Sequence, residues 1–159
     1  KNWNIILKGA LAVSLLFVGV FSSSMTIARE CVSDYELYSK AQVDAAEYIE
    51  KNTAEKAVFL TGDNHNNAVA ALTGRSIVCG ADTFLYYHGI NTAERKNEVA
   101  NMYADPVGNK ELYKKYNVSY IFVSDVETGE FQINFEGLGQ IAEKVYDAQN
   151  VVIYKCNEL

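Results

Sequence analysis

From Gly9 to Ala28 the sequence GALAVSLLFVGVFSSSMTIA runs for twenty residues without a charge. At about 1.5 Å per residue, a helix over this stretch is about 30 Å long, the thickness of a bilayer's hydrocarbon core. The core helix of a water-soluble domain would show a polar face, and this run offers only serines and one threonine. It reads as a membrane span. A secretory signal peptide is the alternative, with Lys1 and Lys8 as its positive region and Thr26-Ile27-Ala28 as its cleavage site. A lipoprotein anchor on Cys31 fails, because Glu30 stands where a small residue is needed. In a span, Lys8 snorkels to the near interface beside Trp3, and Arg29-Glu30 mark the far one. Lys1 and Lys8 put the N-terminal side in the cytoplasm, so the rest of the chain is expected on the extracytoplasmic side of the cell membrane.

The chain opens on Lys1 and not on Met, so it is read as a fragment or a processed chain. The expected organisation is a transmembrane helix over 1–30, the last span of a longer protein, and an extracytoplasmic α/β domain over 31–159. The 159 residues suffice for one modest domain with a real core and not for two. A net charge of −6, with no basic cluster beyond Lys114-Lys115, argues against nucleic acid as a partner, since an acidic surface repels phosphate backbones. Cys31, Cys79 and Cys156 are an odd set without a CxxC. One disulfide or three separate thiols both fit, and no Cys or His pair has zinc-ligand spacing.

Apolar spacing predicts a helix over about 34–51, N-capped by Ser33 or Asp34. KAVFLTG predicts a buried strand at 57–61, followed by a polar loop, a helix at 66–73 ended by Gly74, and a strand at 76–79. An aromatic loop comes next. Asn91 and Glu94 then suggest a capping box for a helix at 92–103, with Pro106 beyond its end. A helix at 109–116, a strand at 119–124, a short helix and a hairpin turning near Ala148-Gln149-Asn150 complete the chain. The fold class is therefore α/β: an N-terminal transmembrane helix, then a small mixed, largely parallel sheet with flanking helices and a C-terminal β-hairpin.

In parallel sheets, ligands meet the carboxyl ends of strands. Asp63 and His65 follow the first strand, Asp82 and His88 the second, and Asp125 and Glu127 the third. Two readings of the DNHNN loop compete. Asp63 or Asn66 caps the next helix while His65 orders the turn, or Asp63, His65, Asn66 and Asn67 contact a ligand. Asp63, His65, Asp82 and His88 are the residue types of a zinc or manganese site, yet no HExxH or similar helical pair is present. Gly62 lacks the further glycines of a nucleotide loop, and neither GxxxxGK[ST] nor GxSxG occurs. A Cys79–His88 dyad is conceivable on paper, but Cys79 ends a strand expected to be buried, where thiols are inert. Arg75 and Arg95 are candidates to grip an anion, although an arginine just past a helix end often binds carbonyls instead. The stretch Thr83–Ile90 reads as a sugar-stacking surface, a bilayer-interface segment or a hydrophobic lid. No complete catalytic set emerges, and neither cofactor nor metal is called for.

Several pieces together resemble a known group. They are Tyr48, Ile49, Asn52 and Thr53 (a "W/Y-I-x-x-N-T" pattern), His65-Asn66-Asn67, Leu72 with Gly74-Arg75, and His88-Gly89-Ile90 followed by Arg95. Over about 40–155 this block resembles the C-terminal extracytoplasmic region of bacterial multi-spanning membrane proteins related to glycosyltransferases that use lipid-linked sugars. Ala68 departs from a frequent proline, and Tyr87 from a small polar residue before the histidine. The resemblance implies that the catalytic carboxylate lies upstream, in a loop between membrane helices. It also implies that the soluble tail covers the membrane-embedded site and contacts a lipid-linked sugar or glycan acceptor. On this reading Asp63, His65, Asn66, Asn67, Arg75, Asp82, His88 and Arg95 are candidate ligand contacts. The partners are the lipid bilayer and the upstream membrane domain of the same protein. Two rivals belong to other classes: a single-pass, membrane-anchored protein-interaction module, and a secreted metal-dependent hydrolase.

Overall fold

The computed structural model describes residues 3–157. Lys1, one of the two charges used to orient the span, lies outside them, as does the side chain of Trp3. The chain divides into two compact units, Lys1–Glu36 and Leu37–Leu159.

The first unit is one helix, α1 (Trp3–Cys31). Its described side chains are all exposed, so it is not the core helix of a globular unit, and it is long and apolar enough to cross a membrane. The hydroxyls of Ser23 and Thr26 donate back to the Gly19 and Ser22 carbonyls, at 3.1 and 3.2 Å. Both polar groups are thereby satisfied inside the helix, which suits an apolar surrounding.

In the second unit α2 (Lys40–Asn52) starts later than the apolar spacing suggests. The reason is local: Ser39 and Gln42 close a capping box, with Ser39 Oγ accepting the Gln42 N–H and Gln42 Oε1 accepting the Ser39 N–H. Ser33 and Asp34 are therefore not its caps. The strands are β1 (Val58–Leu60), β2 (Ser76–Ile77), β3 (Val118–Val123), β4 (Ala142–Ala148) and β5 (Val151–Cys156). They form one sheet in the order β2-β1-β3-β5-β4. The first three are parallel, and the β4–β5 hairpin adds antiparallel to β3. Its turn uses Gln149 and Asn150 at φ 51° and 68°, the left-handed pair of a tight hairpin.

The helices between them are α3 (Ala68–Thr73), α4 (Asp82–Tyr87), α5 (Ala93–Ala104), α6 (Lys110–Lys115), α7 (Asp125–Glu130) and α8 (Phe135–Ile141). Successive strand residues point to opposite faces, and β3 is buried on both. Leu60, Ile121 and Val123 pack with Val99, Met102 and Tyr103 of α5, Tyr113 of α6 and Leu138 and Ile141 of α8. Phe59, Phe122 and Ile153 pack on the other face with Ala45 and Ile49 of α2 and Val69 of α3. The unit is a three-layer α/β/α sandwich.

Four further sequence expectations need correction. The aromatic stretch expected as a loop contains α4, and β3 is followed by α7, which periodicity over six residues is too short to show. No Asn91–Glu94 capping box forms: α5 is preceded by Thr92 without a side-chain cap, and Asn91 Oδ1 accepts the Ala93 N–H at 3.0 Å. Ser76–Ile77 is shorter than expected because the chain turns away after Val78 bonds Phe59 O.

The direction of α2 fixes which edge of the sheet is which. It feeds β1 through residues 53–57, so it runs back across the sheet opposite in sense to β1. Its last turn meets Arg75, which precedes the amino end of β2. Its first turn therefore lies at the edge holding the carboxyl ends of β1, β2 and β3.

Candidate functional site

At that carboxyl edge the chain leaves β1 through Thr61, Gly62 and Asp63. Glu127, in the first turn of α7 after β3, meets the chain there. Its side chain is 2% exposed. One carboxylate oxygen accepts the Gly62 N–H at 3.0 Å, and the other accepts both the Ser124 N–H and the Ser124 hydroxyl. Tyr103 of α5 donates its hydroxyl toward the Leu60 and Phe122 carbonyls from within the core. Two adjacent strand ends are thus held in register by side chains, which makes a rigid floor.

On this floor Asp63 pairs with Lys96 of α5 at 2.9 Å, with the carboxylate 11% exposed. Glu130 of α7 comes close to the same carboxylate. Burial first, and then the negative charge of Asp63, push the Glu130 carboxyl above the usual glutamate range. The hydrogen bond to Asp63 raises Lys96 above the ordinary lysine value. These three groups, with Cys79, Val99 and Phe131, line a cavity of about 240 Å³. Burial chiefly, helped by Asp63, pushes the Cys79 thiol up, so it is a poor nucleophile.

The remaining candidates separate into distinct jobs. Asn67 is the cap of α3: its Oδ1 accepts the Ala70 N–H at 3.1 Å, and its Nδ2 donates to Thr61 Oγ1 and Gly62 O, both at 2.9 Å. The carbonyl of Asn66 takes a hydrogen bond from the Asn64 side chain. His65 is exposed at the lip, its ring 4.5 Å from that of Phe84 in α4, so the first loop and the aromatic helix do meet. Asp82 accepts a hydrogen bond from the Thr92 hydroxyl and ties α4 to the start of α5. His88 ends α4 through its backbone and exposes its side chain. Arg95 lies 5.3 Å over the Tyr116 ring. Nearby, Glu98 is held below the usual range by Lys115 first and then Tyr116.

Arg75 sits at the opposite edge. Its guanidinium donates to Thr53 Oγ1 and to the carbonyls of Thr53 and Thr73, a clamp on the ends of α2 and α3. Asp63, His65 and Asp82 share the carboxyl edge, but no group of three or more His, Cys, Asp or Glu side chains with metal-site geometry occurs among the described residues. All three cysteines are free thiols, and burial pushes Cys156 up to about 12.

Lys96 and Glu130 were not among the residues singled out from sequence. Glu130 was within reach: Ser124-x-x-Glu127 is a capping-box pattern, and recognising α7 from it puts Glu130 one turn on from Glu127, on the same face. Lys96 carried no such signal. Chemically, the crevice presents two carboxylates and one ammonium suited to gripping hydroxyl groups by charge-assisted hydrogen bonds.

No family model matches the chain, and no curated protein matches it. Among solved structures it is similar to the C-terminal globular domain of an oligosaccharyltransferase from Archaeoglobus fulgidus. The TM-score is 0.54 at 10% identity, and the match covers 76% of this chain and 99% of that domain. At that identity the likeness concerns the fold. The chain shares the fold of that C-terminal globular domain.

Proposed function

We propose that this chain is the last span and extracytoplasmic domain of an integral-membrane glycosyltransferase-like protein. Its globular unit covers the membrane-embedded site and contacts the lipid-linked sugar or the glycan acceptor, while bond-making chemistry resides upstream. One observation carries the reading: a helix able to cross a membrane leads into a unit whose fold matches nearly the whole of an oligosaccharyltransferase's C-terminal domain. The carboxyl-edge crevice supplies the contacts, with Asp63, Lys96 and Glu130 inside it and His65 at its lip. Carboxylates and an ammonium at hydrogen-bonding distance suit sugar hydroxyls, whose donors and acceptors alternate around the ring.

The test is transfer from a polyprenyl-phosphate-linked sugar. Residues 37–159 alone should give none, and turnover by them would place the chemistry here and overturn the proposal. In the intact membrane protein, Lys96→Met should raise KM for donor or acceptor and leave kcat nearly unchanged, the pattern of lost uniform binding. An unchanged KM would also overturn it.

A further inference from the structure

Helix α4 buries none of its residues. Phe84 is 52% exposed, Tyr86 74%, Tyr87 81%, and Ile90 just beyond the helix 50%. Leu85 alone turns inward, toward Gly80. From Thr83 to Ala93 there is no Asp, Glu, Lys or Arg, in a chain where such residues make up 21%. A contiguous uncharged aromatic surface on a small unit marks a place where something apolar is met.

The topology says what. Helix α4 follows β2 and therefore stands at the carboxyl edge, with Phe84 against His65. The first turn of α2 lies at the same edge. Ahead of α2, residues 32–39 are all that separate Lys40 from the end of α1 at Cys31. Eight residues span at most about 28 Å even when fully extended. The chain thus enters the globular unit at the edge that carries the aromatic helix. Tyrosine, with an apolar ring and a polar tip, is the residue type that settles at the bilayer's headgroup level.

We infer that α4 and the turn after it dock into the interfacial layer of the bilayer that α1 crosses, with Tyr86, Tyr87 and Ile90 inserted at headgroup depth. This rests on the membrane reading of α1 and adds an orientation to it: the crevice of Asp63, Lys96 and Glu130 opens at the membrane surface, where a lipid-linked sugar carries its headgroup. Docking of this kind is hydrophobic, so added salt leaves it in place.

The experiment uses the whole chain in phosphatidylcholine vesicles whose acyl chains are brominated near the headgroup. Trp3 is the single tryptophan. In a Trp3→Phe background, Tyr87→Trp reports on α4, and Tyr86→Trp replaces it if the first variant misfolds. Lys114→Trp reports on α6, which leads into the amino end of β3 at the far edge. Retention through a high-pH carbonate wash reads the span by itself. Loss of Tyr87→Trp emission to bromine, with Lys114→Trp emission retained, is the expected result. Both quenched would overturn the edge-specific docking, as would a blue-shifted but unquenched Tyr87→Trp, which would mean a protein partner. Neither quenched, with the chain retained in the wash, overturns the docking and leaves the span intact. A chain that washes away removes the membrane reading and the docking together.

Discussion

Replacing Glu127 by glutamine should destabilise the globular unit by about 2 kcal/mol, and the sign is not obvious in advance. Burying a carboxylate costs desolvation energy, and on that count alone a neutral substitute would help. The surroundings decide otherwise. Both oxygens face donors: the Gly62 N–H on one side, and the Ser124 N–H and hydroxyl on the other. Glutamine has one carbonyl for these two sides. If it faces Ser124, its NH₂ group points at the Gly62 N–H, donor against donor. If it faces Gly62, the Ser124 N–H loses its acceptor. Either way one charge-assisted hydrogen bond, worth about 1.5–3 kcal/mol, is lost and a buried donor is left unsatisfied. For a unit of this size about 2 kcal/mol lowers the melting midpoint by about 6–10 °C. Glu127→Ala removes both sides and should cost more. Ten of the eleven tyrosines lie in Leu37–Leu159, so near-ultraviolet circular dichroism of the whole chain in mild detergent reports this unit. A Glu127→Gln midpoint at or above the wild-type value would refute the reasoning, because desolvation would then outweigh the hydrogen bonds.

Glu130 is the contrasting case. Its folded carboxyl is raised, by burial and then by Asp63, so the native state holds its proton more tightly than the unfolded chain does. Stability is then lost as pH rises from the ordinary glutamate value of 4.5 through the raised folded value. Glu130→Gln should match the wild type below that window and be the more stable above it; denaturant midpoints across pH 4–8 check this, and equal curves throughout would deny the strain. At the hairpin, Asn150 holds φ 68°. Asn150→Gly should be within a few tenths of a kcal/mol of the wild type or better, and Asn150→Val should cost about 1–2 kcal/mol, since β-branched residues resist the left-handed region. Thermal melts of the pair settle the order.

Much of the fold was legible because β1, β3 and β5 are short apolar runs with Gly or Asn close to their ends, and periodicity survives in helices of three turns. The elements missed were single-turn to two-turn helices, α4 and α7. Six residues are too few to show a face, and α4 has no buried face to show. The start of α2 was misplaced for another reason: Tyr35 and Tyr38 continue the apolar spacing, but Ser39 and Gln42 close the cap after them. For the site, the rule that ligands gather at strand carboxyl ends located the right edge. It could not pair Asp63 with Lys96, because that contact depends on how α5 crosses the sheet thirty-three residues later.

The residue pieces singled out in the sequence divide between two tasks, and the geometry shows which pieces act together. Thr53 and Arg75 belong to different pieces in sequence yet are bonded to each other, Arg75 Nε donating to Thr53 Oγ1 at 3.2 Å. Thr53 Oγ1 in turn donates to Ile49 O, Asn52 Nδ2 donates to Tyr48 O, and Gly74 takes the left-handed conformation that frees the Thr73 carbonyl for Arg75. The Tyr-Ile-x-x-Asn-Thr and Leu-x-Gly-Arg pieces are one clamp that closes the ends of two helices at the amino edge, with no role at the crevice. The His65-Asn66-Asn67 and His88-Gly89-Ile90 pieces belong to the other edge. Asn67 fixes the first loop to β1 and α3, and His65 then rests on Phe84, so the loop positions the aromatic helix. A change in the clamp should therefore act on stability, whereas a change at His65 should act on how α4 is presented.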